Sequence, residues 1–291
     1  MTRLDFTKMH GAGNDFVVLD GLRDTLPALE PIAAQIAHRN FGVGFDQMLV
    51  VREATGDADF RMEIFNADGS QVEMCANGIR CFFKYLRDAG HTSADAVRVE
   101  TLSGVVIPRC VHHDGREARI MVDMGPPVLA PAKIPTTLGD ASGDGPVLDV
   151  PLEVGGKAGI GGQTLTVSAI SMGNPHCITI VDDVDAFPVA ELGPLMENHA
   201  AFPNRVNVEF VEVVHRGHLK QRTFERGTGE TLACGSGACA VAVSAMLRGV
   251  VDPVVKIELR GGDLEIAWEG GSSSVFMTGP AATVFTGTME V

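Results

Sequence analysis

Two cysteines open apolar, helix-like stretches directly behind glycine-marked turns. Cys75 lies in "GSQVEMCANGIRC" (69–81) and Cys234 in "GTGETLACGSGAC" (227–239). A free thiol titrates near ~8.5, and a helix N-terminus lowers that value while its unpaired N–H groups hold carboxylates. A cysteine in this position therefore sits beside an anion site. Two of them, facing one α-carbon from opposite sides, supply what a two-base racemase or epimerase needs. One thiolate removes the α-proton, a thiol on the other face returns one, and backbone N–H groups stabilise the enolate-like charge. Lone cysteines more often fill cores, and Cys81, Cys239, Cys110 and Cys177 are expected to do so. The first two lie one to two turns into the same helices, and the others lie in strands.

The elements that must position these thiols are repeated. One shift of register maps Cys75 onto Cys234, Phe65 onto Phe224, Gly78 onto Gly237 and Gly90 onto Gly249. A shift one residue longer maps Gly13–Asn14 onto Gly173–Asn174 and Gln47 onto Asn207. This is the signature of a duplicated structural unit, which would place the two cysteine turns opposite each other across an interdomain cleft. The amides Asn14, Gln47, Asn66, Asn77, Asn174 and Asn207 fall at strand ends or glycine-marked turns. Each alone could be a turn residue bonding its own backbone, but the matched pairs favour a shared polar site. Glu225–Arg226 breaks the symmetry, because its counterpart is Asn66–Ala67. It is either a structural ion pair or a grip on a zwitterion, arginine on carboxylate and glutamate on ammonium. His176, in "GNPHC", is either a satisfied strand histidine or a modulator of a nearby thiol.

Periodicity predicts, in the first half, strands at 4–9, 15–20, 47–53 and 60–66, helices at 29–38 and 75–89, and strands through 97–123. In the second half it predicts strands at 163–170, 176–181, 206–214, 218–225, 254–267 and 274–278. Helices there are expected at 189–199 and 234–248. Alternation as in "RVNVEFVEVV" supports the strands, and Gly90 and Gly249 suit positions just past helix ends. "MGPPVLAP" (124–131) reads as the linker and the Gly-rich 139–162 as an exposed hairpin or loop. The last strand, "TVFTGTMEV", could return to complete the first domain. The expected domains are therefore 1–129 with 279–291, and 130–278.

A chain of 291 residues, 45% hydrophobic, suits two domains of roughly 100–150 residues. No apolar run approaches the roughly 20 residues of a membrane helix, and "MTRLDFTKMH" lacks the apolar core of a secretory signal. The expectation is a soluble, cytoplasmic protein. A net charge of −14 without a basic patch argues against nucleic-acid partners. Six cysteines without a CxxC or CxxH pair suggest reduced thiols, neither a disulfide framework nor a structural zinc site. No Gly-rich phosphate loop with a suitably placed lysine points to pyridoxal phosphate. No cofactor and no metal are expected.

"MHGAGNDF", "FNADGSQVEMCANGIRC", "MGNPHC", "RVNVEF" and "ERGTGETLACGSGAC" together resemble the diaminopimelate epimerase family, from Met9 to the C-terminus. The resemblance implies a cofactor-independent isomerase interconverting LL- and meso-diaminopimelate in lysine and peptidoglycan-precursor biosynthesis. It also implies a homodimer of α/β (α+β) chains with two pseudo-symmetric domains, each a mixed barrel-like sheet around a central helix. Carried over motif by motif, Cys75 and Cys234 take the catalytic positions, the first usually described as proton donor and the second as acceptor. Asn14, Gln47, Asn66, Ala76, Asn77, Asn174, Asn207, Glu225, Arg226, Gly235 and Ser236 fall on substrate-binding positions, and His176 and Glu225 on positions that tune the thiols. Ala76 departs from the family's usual Gly, Phe45 stands where a small residue is common, and Phe285 replaces a tyrosine often used in dimerisation.

A proline racemase or hydroxyproline epimerase of the same fold is the alternative, disfavoured by Glu225–Arg226, which such substrates have no distal group to engage. A redox-switched disulfide protein and a non-catalytic amino-acid-binding module are the readings outside enzymology.

Overall fold

The computed structural model describes residues 2–139, 145–155 and 162–291. The chain forms two compact units, residues 1–123 with 278–291 and residues 124–277.

In the first unit, β1 (Arg3–Gly11) and β2 (Asn14–Asp20) form an antiparallel hairpin. Its two-residue turn, Ala12–Gly13, has φ of 53° and 84°. Positive φ at both turn positions matches the twist of tight hairpins, and it places Asn14 at the first position of β2. Helix α1 (Glu30–Ala37) carries the chain over to β3 (Gln47–Arg52), parallel to β2 with Phe16 opposite Gln47. β4 (Phe60–Asn66) returns antiparallel, setting Gln47 opposite Asn66. Helix α2 (Ala76–Asp88) then crosses to β5 (Val99–Thr101), parallel to β4. β6 (Gly104–Val106) folds back on β5, and β7 (Arg109–His113) with β8 (Glu117–Asp123) make a further hairpin. Helix α2 packs on β1, β2, β3 and β8 and is buried from Asn77 through Leu86, so the sheet wraps around it.

The second unit repeats this order. β9 (Val147–Val154), β10 (Gln163–Ser171) and β11 (Pro175–Ile180) pair antiparallel in sequence. Helix α3 (Val189–Glu197) crosses to β12 (Asn207–His215), parallel to β11 with His176 opposite Asn207. β13 (His218–Glu225) and the short β14 (Gly229–Thr231) follow, antiparallel. Helix α4 (Gly235–Leu247) crosses to β15 (Val254–Leu259), parallel to β13, and β16 (Gly262–Ala267) closes a hairpin on it. Helix α4 is almost wholly apolar, as a helix surrounded by sheet must be, and it packs on β10, β11, β12, β15 and β16. A single long strand, β17 (Phe276–Glu290), unites the two terminal strands expected from the sequence and pairs antiparallel with β1 from Ala282 to Glu290.

Three expectations need correction. The Gly-rich 139–162 does supply one arm of a hairpin, β9 pairing antiparallel with β10, but that arm is not simply exposed: it buries Val147, Leu152 and Val154 in the unit's apolar core. The rest of that segment, 140–144 and 156–161, lies outside the described residues. Cys110, expected in the core, is half-buried on β7. Asn77 lies neither at a strand end nor in a turn but inside the first turn of α2. Cys81, Cys177 and Cys239 are buried, and burial pushes the Cys81 thiol up to about 12 and Cys177 higher still. These are inert core thiols.

Candidate active site

Cys75 and Cys234 occupy the same structural position in their two units. Each is the N-cap of its central helix in extended conformation, φ −137° and −122° respectively. Each Sγ accepts the backbone N–H of the glycine three residues on, Gly78 or Gly237, at 3.4 Å. A cap whose side chain accepts from the third helical N–H is ordinarily Ser, Thr, Asp or Asn. Cysteine here exchanges capping strength for a sulfur at the helix N-terminus.

Around Cys75 the first unit gathers amides. The Cys75 thiol donates to Asn14 Oδ1 at 3.8 Å, and Asn77 Nδ2 donates to the same oxygen at 3.4 Å. Asn77 Oδ1 in turn accepts from Nη2 of the fully buried Arg80 at 2.9 Å. Asn14 Nδ2 donates to Asp46 at 2.8 Å, and Asp46 belongs to a charged cluster with Arg39, Asp15 and Lys8. Burial works to raise the Asp15 carboxyl, but bonds from Arg39 and Lys8 outweigh it and hold it at about 2. Gln47 Nε2 donates to Asn66 Oδ1 at 3.1 Å, the cross-strand pair that register alone requires. Gln47 Oε1 is buried without a protein partner, an acceptor left for a ligand donor. Ala76 opens α2 without positive φ, so a methyl replaces the family's glycine there without backbone strain. Phe45 is buried in the apolar core.

Cys234 has a different setting. Ser236 Oγ lies 3.5 Å from its sulfur, and Gly235 leads the helix beside it. Burial pushes the Cys234 thiol well above its ordinary value and the Glu225 and Glu209 carboxylates add to that, against the Ser236 and Gly237 donors. The Glu225 carboxyl is itself raised by burial despite bonds from Thr231, at 2.5 Å, and from the Cys234 thiol. Asn207 Oδ1 accepts the Arg226 backbone N–H at 2.9 Å and its Nδ2 donates to Pro175 O at 3.2 Å. The Arg226 side chain is exposed, bonded to Asn204 O at 3.2 Å. It makes no ion pair with Glu225, so the two are not the structural pair that the sequence left open.

His176 is fully buried, with Nδ1 2.9 Å from Glu209 Oε1 and Nε2 3.0 Å from Asn174 Oδ1. A ring nitrogen of His176, a carboxylate oxygen of Glu209 and Cys234 Sγ lie within 4.8 Å of one another. With His176 and Glu209 spent on each other, this is a place to hold a proton. The sequence reading missed Glu209 and its partners Gln221 and Thr223. The only available signal was a glutamate between Val208 and Phe210 in a strand read as alternating.

Asn14 and Asn77 are thus tied to Cys75, and Ser236, Glu225 and His176 lie around Cys234, whereas the Gln47–Asn66 and Asn207–Arg226 pairs are bonded to each other. Phe285 lies apart, on β17, its ring edge-on to Phe6 at 6.0 Å.

A sequence profile described as diaminopimelate epimerase matches residues 6–130 and 168–284. The diaminopimelate epimerase of Cupriavidus pinatubonensis is 51% identical over 291 residues, covering 99% of this chain and 98% of that protein. That of Aromatoleum aromaticum is 50% identical over 289 residues, covering 99% of each. Among solved structures, a hydroxyproline epimerase from Agrobacterium vitis matches with a TM-score of 0.67 at 16% identity, over 99% of this chain and 91% of that one. At that identity the likeness is one of fold.

Proposed function

Because the chain belongs to the diaminopimelate epimerase family, we propose that it interconverts LL- and meso-diaminopimelate without a cofactor, through Cys75 and Cys234, in lysine and peptidoglycan-precursor biosynthesis. The observation that carries this reading is the pair of cysteines capping equivalent helices with the same sulfur–amide geometry, in a chain half-identical to that family's members.

The chemistry runs by proton exchange. One sulfur, as thiolate, takes the α-hydrogen and becomes a thiol. The electron pair delocalises into the α-carboxylate, whose oxygens face unpaired N–H groups at the helix starts. The other sulfur delivers its proton to the opposite face of the carbon and becomes the thiolate. The enzyme leaves the cycle with the two protonation states exchanged, ready for the reverse direction.

Glu225 takes the substrate ammonium. In the free protein its charge and the burial of the thiol hold the proton on Cys234. A bound cation offsets that charge, so the thiolate becomes accessible when substrate is present. Asn14, Asn77, Asn174 and Asn207 orient the carboxylates and the distal amino-acid group, with Arg226 the cation available to a carboxylate.

A homodimer is supported by the exposed apolar side chains of Val284 and Phe285 on β17 and Val111 on β7. Free cysteines throughout suit a reducing, cytoplasmic compartment. Among the described residues no helix is long and apolar enough to cross a membrane.

Stereochemical conversion of LL-diaminopimelate by the purified chain, with no added cofactor, tests the reading. Formation of the meso isomer is expected; exchange at the α-carbon of proline but not of diaminopimelate would replace it with a proline-type racemase.

A further inference from the structure

Beneath Cys234 the second unit buries polar side chains where the first unit buries hydrocarbon. Glu209 lies two residues beyond Asn207, and Leu49 lies two beyond Gln47. His176 stands opposite Asn207 in the parallel register, and Phe16 stands opposite Gln47. The glycines of the two caps report the same exchange. A Cβ on Gly78 would meet Leu49 Cδ2 at 3.1 Å and Phe16 Cε1 at 3.5 Å, whereas one on Gly237 would meet Glu209 Oε1 at 2.3 Å. Leucine and phenylalanine therefore satisfy the fold at this place, and a buried carboxylate with a buried imidazole is not needed for packing. Such a pair costs desolvation that well-packed apolar groups avoid, which points to chemistry.

The hydrogen bonds assign the proton. Glu209 Oε2 accepts from Gln221 Nε2 at 2.8 Å and from Thr223 Oγ1 at 2.6 Å. Its Oε1 faces His176 Nδ1 at 2.9 Å. An ionised carboxylate has no hydrogen to give, so Nδ1 is the donor. His176 then has two states that differ only at Nε2, one donating to Asn174 Oδ1 at 3.0 Å and one with a bare lone pair. Glu209 holds the Nδ1 hydrogen through both.

We infer that Glu209 is a positioning residue that fixes the His176 tautomer, so that Nε2, the atom on the Asn174 side, is the one that gains and loses a proton. Its consequence for turnover rests on the epimerase reading; its consequence for the imidazole does not. The logic is that of a carboxylate orienting the histidine of a catalytic triad.

Glu209→Gln tests it with shape retained. Gln221 and Thr223 still present donors, so the new amide turns its oxygen to them and its NH2 toward Nδ1, which must then be bare. Long-range proton–nitrogen NMR of histidine-labelled protein should show Nδ1 protonated in the wild type and the hydrogen moved to Nε2 in the variant. The variant's kcat should fall on the order of 10²- to 10⁴-fold with KM within about threefold, the pattern of an interaction made in the transition state. A wild-type spectrum with Nδ1 bare overturns the inference even if the variant does not fold. An unchanged tautomer in the folded variant, or a changed tautomer with unchanged kcat, also overturns it. If the wild type turns over no diaminopimelate, the reaction reading fails while the NMR comparison still decides the role of Glu209.

Discussion

Cys75 and Cys234 each hold the glycine N–H three residues downstream at 3.4 Å, one bond at the head of α2 and its replica at the head of α4. The repeated bond makes each thiol a cap; the proposed function makes it an acid–base group as well, and the two roles separate under mutation.

Serine is a stronger cap than cysteine but a far weaker acid. Cys75→Ser and Cys234→Ser should therefore keep or raise thermal stability while losing turnover almost completely. Cys75→Ala and Cys234→Ala should lose turnover too, with stability falling by about 1 kcal/mol. Thermal melts beside the epimerisation assay check this, and retained turnover in any of the four counts against the assignment.

The two cap glycines should differ in tolerance. Gly78→Ala brings its methyl to 3.1 Å from a leucine methyl, which a small side-chain shift relieves. Gly237→Ala drives its methyl into the Glu209 carboxylate at 2.3 Å, which three buried hydrogen bonds hold in place. Gly237→Ala is expected to be destabilising by about 1–3 kcal/mol through overpacking and to lose activity, Gly78→Ala to lose much less of both. Equal effects in denaturant melts would contradict the asymmetry of the two sites.

Burial holds the Cys234 thiol protonated, and the charge of Glu225 adds to it. Removing that charge in Glu225→Gln should move the alkylation midpoint of Cys234 to lower pH, read by peptide mass spectrometry, with Cys75 as the internal control. The same variant loses the ammonium partner, so KM should rise by roughly tenfold or more. An alkylation midpoint that stays or moves up would show that burial alone sets the thiol.

Acid stability should carry the mark of Asp15. Its carboxyl lies below the ordinary 3.8, at about 2, so the stabilisation is complete above pH ~4 and is lost as pH falls through its folded-state value. Asp15→Asn should lower the urea midpoint at neutral pH and flatten its fall between pH ~4 and ~2. Curves that stay parallel over that window would place the acid sensitivity elsewhere.

Much of this was legible in the residues because chemistry repeats with the fold. The cysteine turns and the amides near strand starts recur at two spacings one residue apart, so the duplication locates them twice. Glu209 escaped because β12 is buried along Asn207–Val211. The alternation of "RVNVEFVEVV" puts Glu209 on the polar face, and nothing in it shows that both faces are buried there. Arg80 and Lys84, the two cations in the buried stretch of α2, are likewise fully buried. Arg80 is spent on Ala76 O, Asn77 and Pro280 O, and Lys84 on Asp88, Gly115 O and Thr283. The burial of β9 was hidden by its Gly-rich surroundings, which composition reads as exposed.

The most direct test is a time course of LL-diaminopimelate epimerisation in deuterated water. Two sulfurs acting on opposite faces should give meso product that carries solvent deuterium at the inverted carbon from the first turnovers, while unreacted LL substrate keeps its hydrogen. Product that retains the substrate hydrogen, or LL substrate that gains deuterium as fast as product forms, would mean that a single group serves both faces and would contradict the paired-thiol account.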